Sequence, residues 1–416
     1  MMTHLSVSLF AAMLAAAGIP LYIHLPRFAT SELGLSLSTT GAVLIGIRLM
    51  DFAQDPLLGR MADGLARHRR GLAGLGVTGM AAGFVMLFSI PPVLDATLWL
   101  VLALVLVFTA YSLASILFYA QGVAIAGDGP AAAHYRLAGF RETGMLAGVV
   151  LAAAAPTVLA RLGDPATAYR DFGLLLAATA LGVGAVTAGL WSAEPRRQPA
   201  AGAAPPALSF AALVTPEIIR LLALALVNAL PVAITATLFL FFVEDRLNLP
   251  SLSGLFLLAF FLAAGLSAPG WSRLVARHGA RRVLVPAMIL AIVSFTGAAM
   301  LPAGAALAFG AISMASGAAL GADMVILPAL FASTLASREL PAGAGFGLWS
   351  FAQKLALAIA AAIVLPALDM AGFTPGGPNT TTALSALTFA YAVLPCILKA
   401  AAIAMVFGLP AEETKT

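Results

Sequence analysis

Residues 97–122 read TLWLVLALVLVFTAYSLASILFYAQG and contain no charged side chain. A helix needs about 20 predominantly apolar residues to cross the hydrocarbon core of a bilayer, so this stretch predicts a membrane span. The whole chain shares this bias, because 61% of its 416 residues are hydrophobic and only 10% are charged. Soluble domains are about 45–50% apolar and about 25% charged. So few charges cannot cover a water-exposed surface, and the sequence therefore predicts an all-α membrane protein.

Twelve apolar runs, separated by charged or Pro- and Gly-rich turns, follow one another along the chain. They fall at residues 5–25, 38–58, 72–90, 97–122, 140–160, 172–192, 218–242, 252–272, 283–302, 305–331, 344–368 and 384–408. The stretch 194–210 is the most linker-like region, which predicts an N-terminal six-helix bundle at 1–193 and a C-terminal six-helix bundle at 211–416.

An Ala-Arg-His triplet occurs after the second predicted span, at 66–68, and again after the eighth, at 276–278. Equivalent positions in two halves are typical of a duplicated transporter. The alternative is two ordinary basic loops that share a triplet by chance.

Arginine is distributed unevenly between the predicted loops. With the amino terminus inside, the cytoplasmic loops hold fourteen arginines and the outside loops hold four. Cytoplasmic loops carry the excess of basic residues, so this asymmetry orients the chain, and an even number of spans places both termini in the cytoplasm. We interpret the formal net charge of +4 as loop charge and predict no nucleic-acid partner. The single cysteine, Cys396, forms no intrachain disulfide or metal cluster, and we predict no cofactor.

The second predicted span carries three ionisable residues, Arg48, Asp51 and Asp55, at spacings of three and four. These spacings place them on one face of a helix. A charge near the bilayer centre costs about 2.5–3.5 kcal/mol on insertion scales, so such groups normally face a cavity or a partner. Two carboxylates one turn apart repel each other unless they bind a cation or share a proton. We therefore predict a cation site here, and the alternative is a structural ion pair near the cytoplasmic end of the helix.

Other ionisable residues also fall inside predicted spans. Lys354 in the eleventh span needs an acidic partner or a wet cavity, unless it snorkels to the interface. Asp323 in the tenth span is interpreted as a substrate-binding acid, a proton carrier or an acid paired with another helix. Lys399 in the twelfth span snorkels or pairs with an acid that the sequence does not identify. Arg141 and Glu142 begin the fifth span, and as neighbours they are expected on different faces, one towards a cavity and the other towards the cytoplasmic rim.

The pattern Arg48-x-x-Asp51-x-x-x-Asp55-Pro56-x-x-Gly59 resembles the signature of the glycoside–pentoside–hexuronide:cation symporters, the melibiose permease-type family of the major facilitator superfamily. The resemblance covers most of the chain and implies the twelve-helix major facilitator fold with two six-helix halves. It also implies that the two aspartates coordinate a coupling Na⁺, Li⁺ or H⁺, and that no enzymatic activity is present.

Residues of three further spans resemble the same family. Ser112 in the fourth span would supply a cation-site hydroxyl, and Tyr119 stands where the family has a sugar-stacking tryptophan. Arg141 resembles the fifth-span arginine of the substrate site. The pair Gln353-Lys354 resembles the eleventh-span lysine site, where the lysine lies close to both the cation and the sugar.

The sugar half of the family's site is altered in this sequence. Leu14 and Ala15 stand where melibiose permeases carry the Lys-Asp pair that grips galactosyl hydroxyls, and Ser115 replaces a second sugar-binding acid. An apolar first span cannot orient a hexose in that way, so we expect a different substrate. The residues predicted to bind it are Arg141, Tyr119, Ser115, Asp323 and Lys354.

Two further features complete the comparison with the family. Gln54 replaces the asparagine beside the second aspartate, which leaves Na⁺ and H⁺ open as the coupling ion. The stretch Gly59-x-x-x-Asp63, followed by Arg67, resembles the superfamily's loop between spans two and three, which pairs with nearby helices in the outward-open state. This resemblance implies a cytoplasmic gate, while basic residues that only orient the chain are the alternative.

These observations predict a secondary transporter that moves a small organic solute with a monovalent cation by alternating access. We expect it to lie in a bacterial inner membrane among lipids and to function as a monomer. A proton-coupled exporter and a lysolipid-type transporter are the alternatives on the same scaffold. A membrane enzyme or receptor ranks below transport, because the sequence shows no nucleophile elbow, metal motif or phosphate loop.

Overall fold

A computed structural model describes residues 2–23, 25, 28–29, 32–127, 131–162, 164, 167–192 and 213–408. Within these residues the chain forms helices and turns and contains no strand. Twelve long helices follow one another, and each coincides with one predicted span. The predicted linker at 194–210 lies outside the described residues.

The helices are labelled α1 to α12 in chain order. The first six are α1 (Met2–Ile23), α2 (Leu37–Gly64), α3 (Arg69–Phe84), α4 (Ala96–Ala126), α5 (Ala131–Leu162) and α6 (Ala168–Val186). The other six are α7 (Pro216–Phe241), α8 (Ser253–His278), α9 (Ala280–Ala299), α10 (Ala306–Ser337), α11 (Ala342–Met370) and α12 (Thr381–Phe407). A π turn extends α3 at Val85–Ser89, extends α7 at Phe242–Arg246 and interrupts α12 at Phe389–Val393.

Nine of the helices in the described part of the chain are long and apolar enough to cross a membrane by length and composition alone. Of the ionisable residues of interest, Asp51 and Asp55 lie on α2, and Arg141 and Glu142 lie on α5.

Several helices begin where the sequence offers a side chain that accepts hydrogen bonds from free backbone N–H groups. At the start of α4, Asp95 Oδ1 accepts from the backbone nitrogens of Thr97 and Leu98 at 3.0 and 3.1 Å. At the start of α12, Thr380 Oγ1 accepts from the backbone nitrogen of Ala383 at 3.2 Å. These caps fix the helix boundaries within the polar turns.

The chain divides into two compact units. The first unit comprises Met1–Gly129, Phe140–Leu213 and Ala332–Phe351, and the second comprises Pro130–Gly139, Val214–Phe331 and Ala352–Thr416. The beginning of α11 therefore belongs to the same unit as α2 and α4. The six-helix bundles at 1–193 and 211–416 stay a prediction.

Helix α2 shows how the first unit separates polar from apolar side chains. Its large apolar residues Ile45, Leu49 and Leu57 are 61–64% exposed, whereas Asp51 and Asp55 are 3% and 0% exposed. Apolar side chains on the outside and acids on the inside suit a helix that faces lipid, where an ionisable group must turn to the protein interior. This arrangement brings the two acids to the neighbouring helices.

The second unit contains a buried aromatic cluster between α7, α8, α10 and α12. The rings of Phe242 and Tyr391 stack with centroids 4.1 Å apart, and the ring of Phe309 meets that of Phe256 edge-on at 5.0 Å. Aromatic pairs at these separations add to the packing of helices that have no hydrophobic driving force in lipid.

Candidate functional site

Asp51 on α2 lies against a group of polar side chains from α4. Its Oδ1 accepts a hydrogen bond from Ser112 Oγ at 2.8 Å and another from Gln54 Nε2 at 3.2 Å. Gln54 is held in turn by Thr109, whose Oγ1 donates to Gln54 Oε1 at 2.9 Å. Ser112 is 2% exposed. The structure thus brings together two of the residues predicted for the cation site.

Asp55, one turn further along α2, is fully buried and contacts α11. Ser350 Oγ donates to Asp55 Oδ2 at 2.5 Å, and both residues belong to the first unit. The rings of Phe52 and Phe351 stack beside this contact with centroids 4.6 Å apart. The two acids are therefore tied to different helices, Asp51 to α4 and Asp55 to α11.

The groups around the two acids are oxygen donors of the kind that hard monovalent cations prefer. Two carboxylates and the hydroxyls of Ser112 and Ser350 lie along α2 and its neighbours, while Gln54 directs its nitrogen to Asp51 and its oxygen to Thr109. No group of three or more His, Cys, Asp or Glu side chains that would hold a metal ion occurs among the described residues. Binding of Na⁺, Li⁺ or a proton by these groups stays a prediction.

Of two residues predicted to act with these acids, one differs from them in exposure and the other belongs to the second unit. Arg48 is exposed, whereas both acids are buried. Lys354 is half-buried on α11, in the part of that helix that belongs to the second unit. The roles of Arg48 as counter-charge and of Lys354 at the cation and substrate sites stay predictions.

Helices α2 and α11 cross closely along the part of α2 that runs from Asp55 to Asp63. Glycine residues make the close approach of the two backbones possible. A Cβ atom on Gly59 would collide with the carbonyl oxygen of Gly343 and lie 3.1 Å from Ala344 Cα. A Cβ atom on Gly347 would lie 2.6 Å from the backbone oxygen of Asp55. Small residues at a crossing let two backbones pack closely in a membrane. The position of Ser350 beside Asp55 therefore depends on these glycines.

Asp63, at the carboxyl end of α2, also contacts α11 in this crossing. Its Oδ1 and Oδ2 accept hydrogen bonds from the backbone nitrogens of Gly343 and Ala344, at 2.8 and 2.5 Å. These are free N–H groups in the first turn of α11, where the helix dipole also favours a carboxylate. Gly59 and Asp63, two of the three predicted gate residues, thus both contact α11.

The third predicted gate residue, Arg67, is exposed in the short turn Ala66–His68. Arg69 is the buried arginine of this segment, at 7% exposure, and its Nη1 donates to Gln121 Oε1 at 3.3 Å. Gln121 Nε2 donates to the backbone oxygen of Leu190 at 2.7 Å. Arg69 therefore fixes the start of α3 to α4, and the role of Arg67 as a gate residue stays a prediction.

Replacing Asp63 with alanine is expected to lower the free energy of unfolding by about 1–2 kcal/mol, the usual cost of losing a helix cap. The physical reason is that two N–H groups of α11 lose their acceptor. The measurement is thermal unfolding of the purified protein. Asp63→Asn is the matched control, because it keeps one oxygen acceptor and should lose less. An alanine variant as stable as the wild type would contradict the capping role.

Arg141 and Glu142 on α5 contact each other. Arg141 Nε donates to Glu142 Oε1 at 2.8 Å, which corrects the expectation that the two neighbours point to different faces. Both side chains are long enough to curl towards one another. The Arg141 guanidinium also lies 4.2 Å above the ring centre of Tyr119, and that ring is 5.0 Å from the ring of Phe346. Arg141 and Tyr119, which were both predicted for the substrate site, thus lie next to an acid, Glu142, and a second aromatic ring, that of Phe346.

Glu142 has a feature that sequence reasoning missed. It is 4% exposed, and its Oε2 is buried without a hydrogen-bond donor. Such an oxygen costs free energy unless a ligand, a proton or water satisfies it. Its position beside the guanidinium and the aromatic ring makes it a candidate acceptor for a polar group of a substrate.

The two first-span residues that stand where melibiose permeases carry a sugar-binding pair are buried apolar side chains. Leu14 and Ala15 are buried at 3% and 5% exposure. Ser115 is half-buried on α4, between Ser112 and Tyr119 in sequence. The place of Ser115 in the substrate site stays a prediction.

Asp323 lies in the second unit and is paired with Lys399 of α12 in a buried salt bridge. Lys399 Nζ also donates to Asn228 Oδ1 of α7 at 2.7 Å. Lys399 is 4% exposed and Asp323 is 6% exposed. Lys399 therefore does not snorkel, and its partner acid, which the sequence did not identify, is Asp323. The place of Asp323 in the substrate site stays a prediction.

The sequence matches one protein family over nearly its whole length. The match to the family described as MFS/sugar transport protein, where MFS stands for major facilitator superfamily, extends over residues 5–413. None of the curated proteins matches the sequence.

Solved structures of transporters resemble the fold. A bacterial homologue of the iron transporter ferroportin, in its outward-facing state, superposes with a TM-score of 0.72 at 15% identity over 98% of each chain. The proton:xylose symporter XylE gives 0.65 at 13% identity, over 95% of this chain and 94% of the symporter. The E. coli fucose:proton symporter gives 0.63 at 14% identity over 98% of each chain. At such identities these likenesses show the fold alone, the twelve-helix major facilitator fold.

Proposed function

Because this chain belongs to the MFS/sugar transport protein family, it is a multi-pass membrane transporter and not an enzyme, and we propose that it couples solute movement to a cation. The proposed cation is Na⁺ or H⁺, and the solute is a small organic molecule that differs from the hexosides of melibiose permeases. The protein would work by alternating access, as a monomer among the lipids of a bacterial inner membrane.

The observation that carries the cation coupling is the burial of Asp51 and Asp55 among oxygen donors. At 3% and 0% exposure, two carboxylates one turn apart repel each other when both are ionised. A bound monovalent cation or a shared proton removes that repulsion. Hydrogen bonds from Ser112 and Ser350 orient the carboxylates for either ion.

The contacts of α11 suggest how ion binding acts on the transporter. Along one crossing, Phe351 stacks on Phe52, Ser350 bonds to Asp55 and Gly343 bonds to Asp63. An ion that draws Asp55 away from the hydroxyl of Ser350 changes the same crossing that Asp63 caps. Solute and ion are then coupled when both favour one arrangement of α2 and α11, and each raises the affinity of the other equally.

The solute contacts proposed in the first unit are Arg141, Glu142 and Tyr119. The aromatic ring offers a face for an apolar or sugar-like ring, the guanidinium offers hydrogen-bond donors, and Glu142 Oε2 offers an acceptor. Ser115, Asp323 and Lys354 complete the proposed substrate residues. This set supports a solute with hydroxyl or carboxyl groups and one apolar face.

The test is solute accumulation in proteoliposomes under an imposed gradient of Na⁺ or of protons. Radiolabelled monosaccharides, glycosides, uronic acids and small organic acids serve as probes. We expect at least one probe to accumulate above equilibrium only when a gradient is present. The Asp51→Asn and Asp55→Asn variants should equilibrate that probe without accumulating it. Accumulation that persists in both variants would overturn the coupling, and efflux against the gradient would identify an exporter.

The hydroxyl of Ser112 is expected to affect the affinity for the coupling ion. Replacing Ser112 with alanine removes a hydrogen bond to a carboxylate, worth about 1.5–3 kcal/mol, so the affinity for the coupling ion should change by about tenfold or more. Ion affinity is measured from the concentration dependence of thermal stabilisation. Ser115→Ala, one turn away on α4, is the matched control and should leave the ion affinity unchanged. Equal affinities in Ser112→Ala and wild type would contradict the assignment.

A further inference from the structure

Helices α3 and α6 of the first unit enclose a groove that neither the acids of α2 nor the Arg141 group uses. Its volume is about 220 Å³. A cavity of about 10–15 Å³ on this measure holds one water molecule, so the groove has room for a chain of atoms. Its walls include Arg70, Gly74 and Thr78 from α3 and Leu181, Ala185 and Trp191 from α6 and the turn Ala188–Ser192 that follows it.

The walls of the groove are largely apolar and open to the outside of the two helices. Gly74, Thr78 and Leu181 are exposed. Leu75, next to Gly74 in sequence, is 64% exposed. Thr78 Oγ1 donates to the backbone oxygen of Gly74 at 2.8 Å, so this hydroxyl is satisfied within α3. Exposed apolar side chains on a spanning helix meet acyl chains, which are as apolar as leucine. The walls therefore suit a hydrocarbon chain.

The groove runs along α3 for most of the depth of one leaflet. From position 70 to position 78 the helix rises about 12 Å, at 1.5 Å per residue. One leaflet contributes about half of the hydrocarbon core, which is about 30 Å thick. Between these positions, a Cβ atom on Gly74 would meet nothing within 4 Å. The groove is thus open along a path from Arg70 into the apolar part of the helix pair.

Arg70 supplies a positive charge at one end of the groove. Its side chain is exposed and has no ion pair or hydrogen bond to another described residue. The neighbouring Arg69 is linked through Gln121 to the backbone oxygen of Leu190, so Trp191 lies at the same end. Tryptophan is enriched at the level of lipid headgroups because its ring is apolar and its N–H is polar. This end therefore combines the groups that suit a headgroup.

We propose that the groove binds one anionic phospholipid of the cytoplasmic leaflet, with an acyl chain along α3 and α6 and the phosphate at Arg70. Basic pockets between membrane helices on the cytoplasmic side bind anionic headgroups. The arginine distribution predicts that Arg70 lies on that side. A guanidinium also matches the geometry of a phosphate with two parallel hydrogen bonds. The proposal goes beyond transport and does not require the cation coupling to be correct.

The experiment counts the lipids bound to the purified protein by native mass spectrometry. Phosphatidylglycerol, which is anionic, and phosphatidylethanolamine, which has no net charge, are titrated with identical acyl chains. Two variants address the two ends of the groove. Arg70→Gln removes the charge, and Gly74→Leu places a branched side chain in the open path.

Each variant has a matched control. Arg273→Gln removes an exposed arginine of α8. Gly182→Leu changes an exposed glycine of α6 that does not line the groove, and a Cβ atom there also meets nothing within 4 Å. Because leucine is a better helix former than glycine, neither leucine variant should melt at a lower temperature than the wild type. A loss of lipid binding can therefore be separated from a loss of folding.

We expect Arg70→Gln to bind phosphatidylglycerol about fivefold more weakly, which is the contribution of one arginine near an anionic surface. Its binding of phosphatidylethanolamine should change little. Gly74→Leu should weaken the binding of both lipids by about tenfold, which corresponds to roughly two methylene groups that no longer enter the groove. Both control variants should bind the two lipids as the wild type does.

Three results would overturn the proposal. The first is phosphatidylglycerol binding in Arg70→Gln or in Gly74→Leu that is as tight as in the wild type. The second is binding of glycerol phosphate, which has no acyl chains, with the affinity of the lipid and the same dependence on Arg70, because the groove would then hold a free anion. The third is a dimer that Gly74→Leu dissociates, because a second copy of the chain would then occupy the groove.

Discussion

Replacing Asp323 with alanine is expected to lower the free energy of unfolding by about 3–5 kcal/mol. The change leaves the Lys399 ammonium buried at 4% exposure, with the neutral side chain of Asn228 as its acceptor. Removing one member of a buried ion pair costs far more than removing both, because the remaining charge has been taken out of water without compensation. The measurement is thermal unfolding of the purified protein in detergent.

The matched comparison is the variant in which Lys399 is also replaced, by methionine. Neutralising both members removes the uncompensated charge, so the double variant should recover most of the stability lost in Asp323→Ala. Lys399→Met alone leaves a buried carboxylate and should be as damaging as Asp323→Ala. Additive losses in the double variant would show that the two residues do not depend on each other.

The second large effect is expected at the crossing of α2 and α11. Replacing Gly59 with alanine inserts a methyl group against the backbone of Gly343 and Ala344. Overpacking of this kind typically costs about 1–3 kcal/mol, and here it also separates Ser350 from Asp55 and the first turn of α11 from Asp63. We expect both a lower melting temperature and weaker binding of the coupling ion.

Gly46 provides a control on the same helix. It is exposed and a Cβ atom there meets nothing within 4 Å. Because alanine is a better helix former than glycine by about 1 kcal/mol, Gly46→Ala should leave stability unchanged or raise it. Gly59→Ala should therefore lower the melting temperature, whereas Gly46→Ala should not. A similar shift in both variants would contradict the close approach of the helices at Gly59.

The helices were predictable from the sequence because apolar runs of spanning length are a local signal. Each of the twelve predicted spans coincides with one helix, and caps such as Asp95 are visible in the sequence. The contact of Asp51 with Ser112 was also accessible, since both residues belong to segments that resemble a known family. Such motifs carry information about positions far apart in the chain.

The polar pairs between helices could not be predicted in the same way. Asp323 and Lys399 are separated by 76 residues in the sequence. Nothing in the sequence of either span indicates which of the other helices that span will pack against. The contact between Arg141 and Glu142 was mispredicted because helix geometry places the Cα–Cβ bonds of neighbours on different faces, while long side chains can turn back towards each other. Arg69 is buried and Arg67 is exposed because the short turn after α2 ends at His68, and the sequence alone does not fix that end point.

The central claim is that the two acids of α2 bind the coupling ion. Its most direct test is thermal stability of the wild type, Asp51→Asn and Asp55→Asn with Na⁺, Li⁺ and pH varied. An ion that binds the folded state alone stabilises it by about 2.7 kcal/mol at a concentration 100 times its dissociation constant. We predict that Na⁺ or Li⁺ raises the melting temperature of the wild type and of neither variant or, for proton coupling, that both variants lose a pH dependence which the wild type shows. Identical responses of all three proteins to both ions and to pH would contradict the claim.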